Sequence, residues 1–172
     1  MNEATINTVL ELFEKHRKLP GEEFYPDYFF DFLMNKPKGK GAFRNSFLGL
    51  RRFNAFWGEV QLRFGVCFSV KDRESDYSLN RFCERIEELK SSNGSSKASL
   101  RNRAKYGFER NVFVFGNAIL VGFSLAVSGI FLLSTSIWIG LAYLNYKLIT
   151  SYLKEKCYIN MLEAKIDSGH NI

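Results

Sequence analysis

Residues 111–146, NVFVFGNAILVGFSLAVSGIFLLSTSIWIGLAYLNY, form a run without a charged side chain. The run covers 36 positions, whereas the residues before it carry most of the charge of the chain. About 20 helical residues cross a bilayer core of about 30 Å, so the run is too long for one transmembrane helix. Together with the apolar residues that continue to Leu153, it predicts a two-helix transmembrane hairpin at 111–153.

The turn of this hairpin has two alternative positions. A turn at 133–136, Leu-Ser-Thr-Ser, gives spans at 111–132 and 137–153 and places Trp138 at the far interface, where indoles are enriched. A turn at Ser128 and Gly129 gives two shorter spans. Basic residues flank both spans, and such residues stay on the cytoplasmic side. We therefore expect a multi-pass membrane protein with both termini in the cytoplasm.

Small and polar side chains inside the run suggest contacts between helices. Small residues at every fourth position allow helices to approach closely in lipid, either within one hairpin or between copies in a homo-oligomer. Polar residues in a span face a partner helix or a watery cavity, although a lysine also snorkels to the interface. The residues predicted for helix packing or a pore are Asn117, Ala118, Gly122, Ala126, Asn145 and Lys147.

The remaining sequence predicts a small cytoplasmic helical domain, so the fold class is a mainly α membrane protein. The whole chain is predicted to consist of four parts: a cytoplasmic domain at 1–96, a basic juxtamembrane linker helix at 97–110, the hairpin at 111–153 and a cytoplasmic tail at 154–172. Apolar residues at helical spacing predict helices at 3–18, 42–57 and 77–91.

The predicted cytoplasmic domain contains one stretch with the spacing of a strand and two stretches whose aromatic residues are predicted to lie in its core. Residues 60–70 are apolar at every second position, which predicts a strand and an α+β domain, although Val60 and Phe64 also continue the preceding helical face. In the helix at 42–57, one face predicted to lie in the core carries Phe43, Phe47, Leu50, Phe53 and Trp57. The aromatic residues at 24–33 are likewise interpreted as core.

The formal net charge of +6 is concentrated in two basic patches, around 36–63 and 97–110. The first lacks the G-x-x-x-x-G-K-[ST] arrangement of a phosphate-binding loop. Its basic residues alternate with aromatic ones, a combination that suits backbone contacts and base stacking. The residues predicted to contact lipid or an anionic partner are Lys36, Lys38, Lys40, Arg44, Arg51, Arg52, Arg101, Arg103 and Lys105.

No motif for catalysis or metal binding is recognisable in the sequence. His16 and His170 lack companions at ligand spacing, and the acids Asp72, Glu74 and Asp76 are interpreted as a solvated turn. The three cysteines stand singly, which suits a reducing compartment. We therefore expect neither an enzyme nor a bound cofactor.

The hairpin at 111–153 and its basic approach resemble the small two-transmembrane effector proteins of bacterial anti-phage defence systems. This resemblance implies a toxin-like effector in the bacterial inner membrane that oligomerises and forms a pore when a regulatory protein or a nucleic acid triggers it. The alternative is a non-catalytic, membrane-anchored binding or assembly module that uses the basic region at 36–63. In both cases the lipid bilayer is an expected partner.

Overall fold

The computed structural model describes residues 2–34, 42–75, 77–106, 117–119, 121–122 and 131–168. The chain divides into two compact units. The first unit comprises Met1–Leu100 and Met161–Ile172, and the second unit comprises Arg101–Asn160. The domain boundaries expected from the sequence remain predictions.

Helices make up most of the described residues, and no strand occurs among them. Residues 117–119 and 121–122 are also helical. The labelled helices, in chain order, are α1 (Glu3–His16), a 3-10 turn (Pro26–Tyr28), α2 (Phe29–Met34), α3 (Ala42–Phe64), α4 (Val70–Glu74), α5 (Leu79–Ser91), α6 (Asn93–Tyr106) and α7 (Phe131–Ser168).

The first unit is built by packing helices at their apolar faces. α3 packs against α1 and α2, and α1 also packs against α5. Asn2 precedes α1 and caps it, since its side chain accepts a hydrogen bond from the backbone N–H of Ala4 at 3.1 Å. Its buried residues Val9, Leu12 and Phe13 recur at helical spacing, which confirms the predicted helix at 3–18.

Phe82 of α5 lies at the centre of an aromatic core. Its ring is fully buried, and its centroid lies 5.1 Å from that of Trp57 and 5.3 Å from that of Phe30. The core interpretation of residues 24–33 is confirmed for Phe29 and Phe30, which are buried. The other rings around Phe82, at 5.5–5.9 Å, are Phe29, Phe56, Phe68 and Tyr77.

The strand predicted at 60–70 is wrong. α3 continues to Phe64, with Val60 and Gln61 buried on the face that Trp57 begins. Gly65, with φ of 64°, ends the helix in the left-handed region, and the N–H of Val66 donates to the carbonyl of Gln61 at 3.1 Å. The alternating pattern therefore combines the last turn of a helix with a buried extended segment after Gly65.

The predicted membrane architecture is also wrong. None of the helices in the described residues is long and apolar enough to cross a membrane, which overturns the transmembrane hairpin, its pore and the multi-pass placement in the inner membrane. The predicted second span lies within α7, where Ser134, Thr135 and Ser136 precede Asn145 and Lys147 and interrupt the apolar residues. Most of the predicted first span at 111–132 lies outside the described residues.

The central position of Phe82 leads to a test of the core. We expect Phe82→Ala to lower the free energy of unfolding by about 3–5 kcal/mol, because it removes a fully buried ring and leaves a cavity. Urea denaturation followed by circular dichroism measures this change. Tyr28→Ala is the matched control, since Tyr28 is 68 % exposed and its truncation should cost less than about 0.5 kcal/mol. Equal losses in both variants would contradict the described core.

Gly49 allows α3 to approach α2 closely. A Cβ at this position would lie 2.1 Å from the carbonyl oxygen of Met34, so Gly49→Ala should lower the free energy of unfolding by about 2 kcal/mol. Gly94→Ala, in α6, is the control because no atom lies within 4 Å of its added Cβ. We expect the control to match or slightly exceed the wild-type stability in the same urea titration. A neutral Gly49→Ala would refute the close packing.

Candidate partner-binding surface

The two ends of α3 have different surroundings. Its C-terminal half places Phe56, Trp57 and Val60 in the core. In its N-terminal half, Phe47 is 59 % and Leu50 is 50 % exposed, so these two residues do not lie in the core as their spacing predicted. The reason is that the aromatic core of the first unit packs against the C-terminal half of α3, whereas the Phe47 and Leu50 side chains lie beyond the edge of this core.

An aromatic residue and an arginine share one face of this exposed part of α3. Phe47 and Arg51 are four residues apart and therefore lie on the same face, and Arg51 is exposed. One turn further, Asn54 accepts a hydrogen bond from Nη2 of Arg73 at 2.7 Å, which places a second guanidinium group beside the same face. We call Phe47, Arg51, Asn54 and Arg73 the α3 surface.

Arg52, the neighbour of Arg51, has a role inside the fold. Its Nε donates to the carbonyl oxygen of Leu33 at 3.3 Å, and its side chain is half-buried. The bond satisfies a carbonyl group in the last turn of α2, where the helix itself offers no donor. Of the two adjacent arginines, Arg51 is thus the one that faces solvent.

The other predicted cations are distributed over both units. Lys36, Lys38 and Lys40 lie outside the described residues, and Arg44 lies in the first turn of α3. In the second unit, Arg101 is exposed, whereas Arg103 donates through Nε to Glu155 at 2.7 Å and lies over the Tyr158 ring. Lys105 lies in α6, and its side chain is outside the described part of the chain.

The residues predicted for helix packing or a pore lie in the second unit. Asn145 donates through Nδ2 to Oδ1 of Asn117 at 2.7 Å, which brings these two predicted residues together. Ala118 and Gly122 are exposed, and Ala126 lies outside the described residues. Lys147 is exposed, with Nζ 5.6 Å from the centroid of the Tyr143 ring.

A buried carboxylate links α4 to α5. Asp72 accepts hydrogen bonds from Nε of Arg85 at 2.8 Å, from Oγ of Ser69 at 2.7 Å and from the hydroxyl of Tyr77 at 3.2 Å. Burial raises the pKa of Asp72, but the bonds from Arg85 and Ser69 outweigh this effect, so the pKa lies below its ordinary value of 3.8. Asp72 is therefore a structural residue and not part of a solvated turn.

A second charged cluster joins α1 to α3. Glu59 accepts from Nζ of Lys15 at 2.5 Å and lies 2.6 Å from Nε2 of His16. The hydrogen bond from Lys15, assisted by that of His16, lowers the pKa of Glu59 despite partial burial. The sequence did not indicate the pairing of His16 with Glu59, because their separation of 43 residues leaves no local pattern.

Sequence reasoning missed one residue for which a local signal exists. Ser69 and Asp72 form a capping box at the start of α4, in which each side chain bonds the other's backbone N–H. A serine followed three residues later by an acid is a recognised helix start. That spacing would have assigned Asp72 to a helix N-terminus.

Metal and thiol chemistry is limited in the described part of the chain. No group of three or more His, Cys, Asp or Glu side chains capable of holding a metal ion occurs there. Cys67 and Cys83 are buried, and burial raises the pKa of the Cys83 thiol to about 11. That thiol stays protonated near neutral pH and is a poor nucleophile.

No protein-family model, curated protein or solved structure matches this chain. The resemblance to two-transmembrane anti-phage effectors therefore remains a prediction from the sequence.

The Asp72 network predicts a specific dependence of stability on pH. A carboxylate whose pKa is lowered by folding stabilises the native state above its unfolded pKa, and this stabilisation is lost as the pH falls below about 3.8. We expect Asp72→Asn to lower the free energy of unfolding at pH 7 by about 2–4 kcal/mol, because Arg85 loses its buried partner. The difference from wild type should shrink at pH 3, as urea titrations at the two pH values measure. A difference that is the same at both values would contradict the role of the Asp72 charge.

Proposed function

We propose that the chain is a non-catalytic binding module whose first unit binds single-stranded nucleic acid through the α3 surface. The observation that carries this proposal is the exposure of Phe47 beside Arg51, on a helix whose other half lies in the core. A nucleic acid was one of the partners expected from the sequence, and the basic region at 36–63 was its expected site.

The chemistry of the α3 surface suits a flexible anionic strand. Every base offers a flat face that stacks on an aromatic ring, and such stacking contributes about 1–3 kcal/mol per base. A guanidinium group forms charge-assisted, often bidentate hydrogen bonds with phosphate. Phe47 supplies the ring, while Arg51 and Arg73 supply guanidinium groups on the same side of α3.

The charge of the sequence around α3 supports the same partner. Lys36, Lys38 and Lys40 directly precede α3 in the sequence, and the whole chain carries a formal net charge of +6. Positive charge attracts a nucleic acid over a distance and releases counterions when the phosphates are neutralised. A neutral or cationic partner would gain nothing from these residues.

The proposal that the module is non-catalytic is supported by how its titratable groups are used. The Asp72 carboxylate is bonded to Arg85 and Ser69, and Glu59 is bonded to Lys15. Both groups hold helices together and keep a lowered pKa, whereas a general acid or base at neutral pH needs a pKa near the operating pH. The membrane-perturbing effector is not proposed, since it requires the spans that the described helices contradict.

Fluorescence anisotropy with a labelled 20-nucleotide single strand tests this proposal. We expect Phe47→Ala to raise the Kd by roughly tenfold through the loss of one stacked base. Arg51→Ala should raise the Kd and reduce the slope of log Kd against log salt by about one, because one phosphate contact is lost.

Two exposed residues provide matched controls for these variants. Arg63→Ala removes the same charge from the other end of α3, and Tyr28→Ala removes an exposed ring from another segment. Both should bind with the wild-type Kd. No binding at low salt, or an equal loss of affinity in Arg63→Ala, would refute the α3 surface as the site.

A further inference from the structure

α7 carries an exposed apolar stripe in the second unit. Ile139 and Tyr146 are each 65 % exposed, Tyr143 is 59 % and Leu153 is 57 %, the highest exposures among the large apolar residues of this helix whose side chains the structure describes. Their separations of four, three and seven residues place them on one face, with Thr150 filling the remaining position. We call these five residues the α7 stripe.

The other side of α7 contacts its own unit. Leu141 is buried, Asn145 bonds to Asn117, and Glu155 bonds to Arg103. Leu141 follows Ile139 by two residues and therefore lies about 200° further around the helix. The α7 stripe thus points away from these contacts among the described residues of the second unit, and it contains no charged side chain.

The spacing of the stripe indicates what kind of surface covers it. With Thr150 included, the stripe alternates at four and three residues and has an average period of 3.5, which is the period of the seam that one helix presents to another in a coiled coil. An apolar helix buries such a seam along its whole length, whereas a small ligand or a single loop covers only part of it. A partner that presents an apolar helix is therefore the matching occupant.

We propose that the α7 stripe packs against the α7 stripe of a second copy of this chain. The five side chains expose roughly 600 Å², so a symmetric pair would remove on the order of 1,200 Å² from water, the lower end of stable specific interfaces. This inference rests on the second unit alone and is independent of nucleic-acid binding.

The charges beside the stripe are compatible with self-association. Lys147 flanks it and already lies over the Tyr143 ring, with its charge directed at an aromatic face. A second copy offers two further rings of this kind, Tyr143 and Tyr146, to the lysines of the first. The ring faces of the stripe and the flanking Lys147 thus occur together on one surface, as an interface between identical surfaces requires.

Light scattering coupled to gel filtration, together with sedimentation over a range of concentrations, tests the pairing on the full chain. The wild type should have at least twice the monomer mass of 19.9 kDa. Tyr146→Glu should weaken the association constant by roughly thirty-fold or more, because it replaces a central ring by a charge. Leu153→Glu should act in the same direction. Circular dichroism checks that each variant keeps the wild-type helicity.

Leu144→Glu is the matched control, because Leu144 is 52 % exposed on the same helix but lies about 140° around the helix from the centre of the stripe. It should associate like the wild type. A wild type that remains at 19.9 kDa would overturn the proposal, and co-sedimentation of that monomer with phosphatidylglycerol-containing vesicles would assign the stripe to a lipid surface instead. Equal dissociation in Leu144→Glu and Tyr146→Glu would also overturn it.

Discussion

The buried ring of Phe82 is the contact on which the first unit depends. It lies against rings from α2, from α3 and from the extended segment after Gly65, so one α5 side chain connects elements that are distant in sequence. Aromatic side chains bury 150–250 Å² each, and their edge-to-face pairs add about 0.5–1.5 kcal/mol beyond burial. Because Trp57 and Phe56 must face this ring, the rotation of α3 is fixed, and Arg51 on its opposite side is turned to solvent.

Charged pairs at the edge of this core join the helices that the rings bring together. Asp72 and Arg85 connect α4 with α5, and Glu59 connects α3 with α1 through Lys15 and His16. The pKa of each carboxylate is lowered by its partners, so both links are complete at neutral pH and weaken only in acid. The Asp72–Arg85 pair also positions α4, because Arg85 binds Asp72, and the next residue, Arg73, donates to Asn54 of α3.

Local patterns predicted three helices of the first unit, α1, α3 and α5, whereas contacts between residues distant in sequence determine which side chains are exposed. The apolar spacing located α1, α3 and α5, but periodicity alone could not show that Gly65 ends α3 where a strand was expected. An uncharged run was taken for two spans, although Asn145 and Lys147 interrupt the apolar residues of α7. Arg51 was identified as a candidate because it belongs to the basic region at 36–63, where basic and aromatic residues alternate. The exposure of Phe47 depends on where the core ends along α3, which no single segment encodes.

The proposed α3 surface and the proposed α7 stripe lie in different units, so one copy of the chain can use both at once. Self-association and nucleic-acid binding would then strengthen each other. In the proposed mode of binding, a single Phe47–Arg51 pair would hold one base and one phosphate, which would give modest affinity for a strand. When two copies associate through the α7 stripe, two α3 surfaces belong to one particle, and the second contact becomes intramolecular with an effective concentration in the millimolar range for short connections. Self-association would then convert a weak site into a tighter one without a new contact. Binding to a long strand would in turn favour the associated form, because coupling between two binding equilibria is reciprocal.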